Sequence, residues 1–117
     1  MKVIIAGGRD YSQKVGDQSM VSRLIDEKNI TEIVSGGCSG ADRFGEMVAY
    51  VEKLNVKIFH ADWETHGKAA GPIRNEQMAK YADAVILFSG GRGTANMRKL
   101  AKQYGLTVLY DAGNIHQ

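Results

Sequence analysis

Residues 83–94 read DAVILFSGGRGT, an apolar run that ends in a glycine-rich turn. The run from Asp83 to Phe88 has almost no polar residue among its apolar ones, which is typical of a strand buried on both faces. The turn from Gly90 to Thr94 is rich in glycine, which permits positive φ angles and close approach of the backbone to other groups. A buried strand followed at once by such a turn predicts a β-to-α connection of an α/β fold.

The same kind of apolar run recurs on either side of this stretch. Four more predicted strands are Lys2–Ala6, Thr31–Ser35, Val56–Phe59 and Leu106–Tyr110. Helical periodicity lies between them, in apolar sets that comprise Val21, Leu24 and Ile25; Phe44, Met47, Val48, Val51 and Leu54; and Met97, Leu100, Ala101 and Tyr104. A further helix is predicted from Pro72 to Tyr81, because proline is tolerated in a first turn. The alternation predicts an open parallel sheet with helices on both faces, and residues 61–71 are expected to be irregular and mobile.

Length and composition restrict the class of protein. The 117 residues fit one domain, 1–117, because two cores of half this size would each be marginal. A hydrophobic content of 44% and a charged content of 24% are ordinary for a globular chain. The net charge of +2 is far from the basic footprint of nucleic-acid-binding domains, so no such partner is expected. No apolar run approaches the roughly 20 residues of a membrane span, so no membrane contact is expected. The chain has a single cysteine, Cys38, which fits a reducing compartment, so a cytoplasmic location is expected.

Glycine is concentrated in three doublets, each of which follows a predicted strand. The backbone N–H groups of such turns, and the N-termini of the helices after them, attract anions. Because ligands of open parallel sheets bind at the carboxyl ends of the strands, the doublets predict a phosphate-binding site there. Taken singly, each doublet is explained equally well by tight-turn geometry. The predicted binding residues in these loops are Gly7, Gly8, Arg9, Gly36, Gly37, Ser39, Gly40, Gly90, Gly91, Arg92, Gly93 and Thr94.

Neither standard nucleotide signature is complete. The chain has no G-x-x-x-x-G-K-[ST] motif and no G-x-G-x-x-G after the first strand. An ATP-hydrolysing P-loop, an ordinary NAD site and a bound cofactor are therefore not expected. Arg9 and Arg92, each after a Gly-Gly, are either bidentate phosphate partners or solvated loop charges.

Two acidic residues near the second glycine loop each have two interpretations. Asp42 either completes a capping box that begins at Ser39 or contacts a ribose hydroxyl, with catalysis as a further role. Glu46, one helical turn on, is either a second acid or a solvated charge.

A metal site is not predicted. His60, Asp62 and His66 lack the fixed spacing of known metal motifs. Trp63 between them is either a platform for stacking on a base or a packing anchor. Cys38 is expected to be a small packed residue, because no motif pairs it with a base.

Residues 89–97, SGGRGTANM, resemble the P-G-G-x-G-T-x-x-E signature of the SLOG superfamily. These Rossmann-like nucleotide-binding domains include the LOG phosphoribohydrolases and DNA-processing protein A. Residues 7–10, 36–42 and 71–78 are similar to the YspA- and YpsA-related branch of small phage and bacterial proteins. The resemblance implies a Rossmann-like sheet of order 3-2-1-4-5, with the loops after strands one, two and four around one pocket.

The resemblance also implies roles for single residues. Residues 91–94 match the phosphate-binding turn, and Arg74 matches the arginine beside the ribose and phosphate of a nucleoside monophosphate in the LOG enzymes. Arg74 and the adjacent Asn75 are therefore predicted to bind the ligand. Ser89 stands where the motif has proline. Met97 stands where the hydrolases have the glutamate that stabilises a ribosyl cation. With Thr94 as N-cap, Met97 is predicted to join the core, because a thioether supplies no charge.

Three functions remain open. The first is a binder of a nucleotide or nucleotide-derived small ligand that acts as a sensor, sequestering protein or carrier. The second is a hydrolase of the N-glycosidic bond of nucleoside monophosphates, with Asp42 or Glu46 in place of the missing glutamate and Arg74 in the site. The third is a DNA-associated module like DNA-processing protein A, against which the low net charge argues. A homodimer is possible, because helix faces are left for it.

Overall fold

The computed structural model describes residues 1–114. The strands are β1 (Lys2–Ala6), β2 (Glu32–Ser35), β3 (Asn55–Ile58), β4 (Ala84–Leu87) and β5 (Thr107–Asp111). The helices are α1 (Asp17–Glu27), α2 (Ala41–Glu52), α3 (Trp63–His66), α4 (Ala70–Tyr81) and α5 (Arg92–Gln103), with 3-10 turns at Gly67–Ala69 and Ala112–Asn114. All strand pairs are parallel, in the order β3-β2-β1-β4-β5. The predicted Rossmann-like α/β fold and its strand order are confirmed.

The central strands supply a hydrophobic core on each face of the sheet, because successive side chains of a strand point to opposite faces. Val3 and Ile5 of β1 belong to the core on the side of α1 and α2. Ile4 and Ala6 belong to the core on the side of α4 and α5. Helix residues that complete these cores include Val21, Ile25, Phe44 and Val48 on the first face and Met78, Met97 and Ala101 on the second.

The two edge strands differ from the sequence prediction of burial on both faces. Val56 of β3 is 38% exposed and Val108 of β5 is 44% exposed. Each of these strands has a neighbour on one side alone. An apolar run in a sequence does not distinguish a central strand from an edge strand, which is why the prediction was wrong here.

Residues 61–71 are more regular than predicted. The Asp62 side chain accepts a hydrogen bond of 3.1 Å from the backbone N–H of Thr65, which caps α3. Hydrogen bonds from the side chain and the backbone of Thr65 lower the pKa of the Asp62 carboxyl. The 3-10 turn then leads directly into α4, so this stretch is a capped helical connection rather than an irregular one.

The glycine loops pack on one another at the carboxyl edge of the sheet. Gly40 has a φ of +75°, and a Cβ atom on it would overlap the carbonyl oxygen of Gly8. Ala41 N–H donates to that same oxygen at 3.1 Å. A Cβ on Gly90 would overlap Thr94 Oγ1 and lie 2.6 Å from Gly8 N. Glycine at positions 40 and 90 is therefore required for the loops after β1, β2 and β4 to meet.

Among residues 1–114, none of the helices has the length and apolar character needed to cross a membrane.

Candidate functional site

A cavity of about 540 Å³ lies at the carboxyl edge of the sheet, where the loops after β1, β2 and β4 meet the start of α4. Its size is within the range of small-molecule sites. Predicted site residues that line it are Gly7, Gly8, Arg9, Gly36, Asp42, Arg74, Asn75, Gly91, Arg92, Gly93 and Thr94. Predicted site residues outside the lining are Gly37, Ser39, Gly40, Glu46 and Gly90.

Arg74 is a buried cation in the wall of this cavity, with 8% of its surface exposed. Its Nη1 donates to the carbonyl oxygen of Gly36 at 2.5 Å, and its Nε donates to Asn75 Oδ1 at 3.1 Å. Both Nη atoms lie 3.9 Å from Cys38 Sγ. The ion pairs within residues 1–114 join Arg23 to Glu27 and Arg98 to Asp111. Across that part of the chain, no carboxylate oxygen lies within 4.0 Å of the Arg74 guanidinium, so its charge is hydrogen-bonded but not closely paired.

Asn75 connects Arg74 to the start of α5. Its Nδ2 donates to Asn96 Oδ1 at 3.0 Å and to the carbonyl oxygen of Gly93 at 3.3 Å. Both amide hydrogens are therefore used within the protein. Asn75 lines the cavity, but its geometry suits holding Arg74 and α5 in place better than donating to a ligand.

Helix α5 begins earlier than predicted. Gly91 is its N-cap, and the Ala95 N–H donates to the Gly91 carbonyl oxygen at 3.0 Å. Thr94, predicted to be the N-cap, is the third residue of the helix and is buried with its hydroxyl against Gly90. The prediction failed because glycine at the N-cap can begin a helix without a side-chain cap.

The start of α5 presents backbone N–H groups at the cavity. The N–H groups of Arg92, Gly93 and Thr94 precede the first intrahelical bond, where a helix also carries partial positive charge. A Cβ on Gly91 or Gly93 would meet no protein atom within 4 Å. Packing within the protein therefore does not explain glycine at positions 91 and 93.

Three N–H groups of the other two glycine loops donate within the protein. Gly8 N–H donates to the Ser89 carbonyl oxygen at 2.9 Å. Gly37 N–H donates to Ser35 Oγ at 3.0 Å, and Cys38 N–H donates to Asp42 Oδ2 at 3.0 Å. These loops shape the cavity, and tight turns and close packing account for their glycines.

Asp42 lines the cavity, whereas Glu46 lies outside its lining. Burial raises the pKa of Asp42 above its usual value, while the hydrogen bond from Cys38 and the charge of Arg74 partly offset the effect. Glu46 raises the Asp42 pKa further. Its own Oε2 accepts a 2.7 Å hydrogen bond from Ser35 Oγ, away from the cavity lining.

The capping box predicted from Ser39 is not formed. The N-cap of α2 is Gly40, and Ser39 Oγ donates instead to the Arg9 carbonyl oxygen at 3.1 Å. Asp42 reaches back past the N-cap to Cys38, so its side chain holds the loop after β2 rather than the first turn of the helix.

The mouth of the cavity is basic and carries one aromatic ring. Arg9, Arg92 and Lys68 are exposed there, and the Arg9 guanidinium carbon lies 5.9 Å from the ring centroid of Trp63. Four basic side chains line the cavity against two acidic ones, so the lining is net positive at neutral pH.

Met97 is 2% exposed, forms part of the core and closes one wall of the cavity, as predicted.

Several lining residues were not singled out from the sequence. They are Ala6, Asp10, Lys68, Gly71, Pro72, Met78 and Asn96. Gly71, Pro72 and Met78 belong to the segment 71–78 that carries the family resemblance, which was the available signal. Lys68 lies in the stretch expected to be irregular, and no motif marked it. Within residues 1–114, no three His, Cys, Asp or Glu side chains are grouped as metal ligands.

The chain is similar to a known protein family, to a phage protein and to two solved structures. The sequence profile of the YspA, cpYpsA-related SLOG family (YAcAr) matches residues 1–66. The Gene 61 protein of Mycobacterium phage D29 is 32% identical over 92% of this chain and 94% of its own length. The X-ray structure of TM1055, a structural genomics target, superposes with a TM-score of 0.65 at 23% identity, covering 92% of this chain and 71% of that one. A predicted tRNA methyltransferase subunit from Methanocaldococcus jannaschii has a TM-score of 0.47 at 13% identity, covering 97% of this chain and 69% of that one.

Proposed function

Because this chain belongs to the YspA, cpYpsA-related SLOG family, we propose that it binds a nucleotide or nucleotide-derived small ligand, with a phosphate group beside Arg74. Family membership supports a role in binding or processing a nucleotide-related ligand. The proposal adds the location of the anionic group and the residues that hold it.

The observation that carries the proposal is the buried, incompletely paired charge of Arg74. A cation removed from water is stable where hydrogen bonds and an opposite charge compensate for the lost hydration. Gly36 and Asn75 supply hydrogen bonds, and Asp42, whose carboxyl interacts with the Arg74 charge, lies beyond ion-pair distance. The guanidinium borders the cavity, so an anionic ligand there completes its pairing.

The start of α5 supports the same location. Its first N–H groups border the same cavity as Arg74, and a helix N-terminus favours an anion. The open space at Gly91 and Gly93 leaves room for a phosphate to approach the backbone closely. One phosphate can then contact a side-chain cation and a helix N-terminus together.

Binding without hydrolysis is the form of the proposal that the residues support best. Cleavage of an N-glycosidic bond through a ribosyl cation needs a negative group beside the sugar. Met97 supplies no charge at the position that resembles the hydrolase glutamate. The protein is therefore proposed to sense, sequester or carry its ligand.

A second candidate function, hydrolysis of nucleoside monophosphates, is favoured by Asp42 alone. This carboxyl lines the cavity, and burial raises its pKa, which suits a group that exchanges a proton near a substrate. Glu46 has no place in this candidate, because its carboxylate bonds to Ser35 outside the lining.

The test of ligand binding is thermal stabilisation by two matched sets of compounds. The 5′-monophosphates of adenosine, guanosine, cytidine and uridine are compared with the four unphosphorylated nucleosides. A compound present at 100 times its Kd stabilises the fold by about 2.7 kcal/mol, which raises the melting temperature by several degrees. At least one monophosphate is expected to do so where its nucleoside does not. Equal shifts with both sets would refute a phosphate site.

A further inference from the structure

Trp63 is an exposed aromatic ring on the rim of the cavity. It is the first residue of α3 and the single tryptophan of the chain. Of its surface, 49% is accessible to solvent. Its ring edge rests near the backbone of Gly71, where a Cβ would lie 3.4 Å from Cη2. The ring belongs to neither hydrophobic core. A packing role accounts for one edge of the indole and leaves its exposure unexplained.

Arg9 lies over this ring at the mouth of the cavity. Its guanidinium carbon is 5.9 Å from the ring centroid, a cation–π contact between the loop after β1 and α3. Both side chains line the same cavity as Arg74 and the start of α5. An aromatic face and a planar cation therefore stand at the outer end of a cavity whose inner end is cationic.

We propose that Trp63 is the stacking platform for the nucleobase of the ligand, and that the base inserts between the indole and the Arg9 guanidinium. This inference rests on the proposed function, because the phosphate beside Arg74 directs the base toward the mouth. Bases stack on aromatic side chains and on arginine planes, and such contacts are largely independent of base identity.

The distances allow this arrangement with a small movement. Two stacked layers at about 3.5 Å each need roughly 7 Å between the outer groups. The guanidinium carbon lies 5.9 Å from the ring centroid, so the two planes are at most that far apart and Arg9 has to move outward by at least about 1 Å. Arg9 is exposed and has a long side chain, which makes this movement inexpensive. Purine ligands are expected to bind more tightly than pyrimidine ligands, because the larger ring system buries more of the indole.

The experiment compares adenosine 5′-monophosphate with ribose 5-phosphate, which has the sugar and phosphate without the base. Because Trp63 is the single tryptophan, its fluorescence reports directly on stacking. The nucleotide is expected to change the emission and ribose 5-phosphate to leave it unchanged. Calorimetry then gives the Kd of both compounds for the wild type, Trp63→Phe, Trp63→Ala and Arg9→Lys.

Trp63→Ala is expected to weaken nucleotide binding by about 5- to 150-fold and to leave ribose 5-phosphate binding unchanged. Trp63→Phe is expected to retain most of the affinity, and Arg9→Lys, which keeps the charge but loses the plane, to lose part of it. Tyr50→Ala is the matched control, because Tyr50 is an exposed aromatic ring on α2 outside the cavity. Melting temperatures identify any variant that fails to fold.

Two outcomes would overturn the inference, and they are distinguishable. If both compounds bind equally well and Trp63→Ala changes neither Kd, the phosphate site stands and the base does not lie on Trp63. If neither compound binds the wild-type protein, the proposed function fails and the stacking platform fails with it.

Discussion

The Arg74 guanidinium donates a 2.5 Å hydrogen bond from Nη1 to the carbonyl oxygen of Gly36, so a buried charge of α4 is fixed at the end of β2. A Cβ on Gly36 would lie 2.8 Å from Arg74 Nη1 and 2.9 Å from Asp42 Oδ2. The absence of a side chain at position 36 thus allows a cation and a carboxyl to approach the same residue. The position of the charge depends on a glycine as well as on the arginine.

Replacement of Arg74 is expected to weaken binding of adenosine 5′-monophosphate. A hydrogen bond to a charged group contributes about 1.5–3 kcal/mol, so Arg74→Ala should raise the Kd at least tenfold. Arg74→Lys keeps the charge but loses the planar group that bonds to Gly36 and Asn75 together, and it should lie between wild type and Arg74→Ala. Calorimetry at fixed ionic strength measures both variants. Arg23→Ala on α1 is the control for loss of one cation, and an unchanged Kd in a folded Arg74→Ala would contradict the phosphate assignment.

Gly91 and Gly90 are expected to respond to substitution in opposite ways. A Cβ at position 91 would meet no protein atom within 4 Å, so Gly91→Val should leave the free energy of unfolding within about 0.5 kcal/mol of wild type, while it blocks ligand binding. Gly90→Val places its side chain against Thr94 and Gly8 and should destabilise the fold by about 1–3 kcal/mol.

Urea denaturation and calorimetry on the two variants separate the roles of these neighbouring glycines. Retained nucleotide affinity in Gly91→Val would show that the open space at Gly91 is not used by the ligand. An unchanged stability in Gly90→Val would show that the loops can separate without cost.

The sequence was sufficient for the fold because its main signals are local. Each strand is an apolar run and each long helix has a regular apolar spacing, so the order of the elements follows from the chain itself. Ile5 of a predicted strand and Val48 of a predicted helix, for example, both lie in the core. The order of strands in the sheet came from the resemblance carried by residues 89–97. Burial at the edges was not predictable, because exposure of Val108 depends on which strand lacks a neighbour.

The site was predicted less completely, because its details depend on hydrogen bonds between distant residues. Three glycine doublets look alike in the sequence, but Gly8 and Gly37 donate within the protein while Gly91 faces open space. The role of Asn75 depends on Asn96, which is 21 residues away. No local pattern contains that information.

Asp42 is expected to make the protein less stable as the pH rises. Its folded-state pKa is raised by burial above the unfolded value of about 3.9. The folded protein therefore binds this proton more tightly, and the stability it contributes is fully present below the unfolded pKa and lost as the pH rises through the folded pKa.

Asp42→Asn, which keeps an oxygen for the Cys38 N–H, should therefore be more stable than wild type at pH 7, with a difference that shrinks toward pH 4. Urea unfolding across this range is the measurement. Asp26→Asn, an exposed carboxylate on α1, is the control for loss of one charge. A difference that grows toward acid pH would mean that the Asp42 pKa is lowered instead.

The absence of a carboxylate at Met97 leads to a prediction that separates a binder from a hydrolase. Departure of a base from a nucleoside monophosphate leaves positive charge on the ribosyl group, and an enzyme must place negative charge beside it. Met97 is 2% exposed among apolar neighbours and offers none. Wild-type protein is therefore expected to release base from the common monophosphates slowly or not at all in a single-turnover assay followed by chromatography. Met97→Glu restores the motif residue and is a useful second variant for this assay. Its melting temperature should be measured as well, because the position is buried. Rapid release by the wild type that disappears in Asp42→Asn, with fold and nucleotide affinity intact, would place the missing carboxylate at Asp42 and replace the binding proposal with the hydrolase.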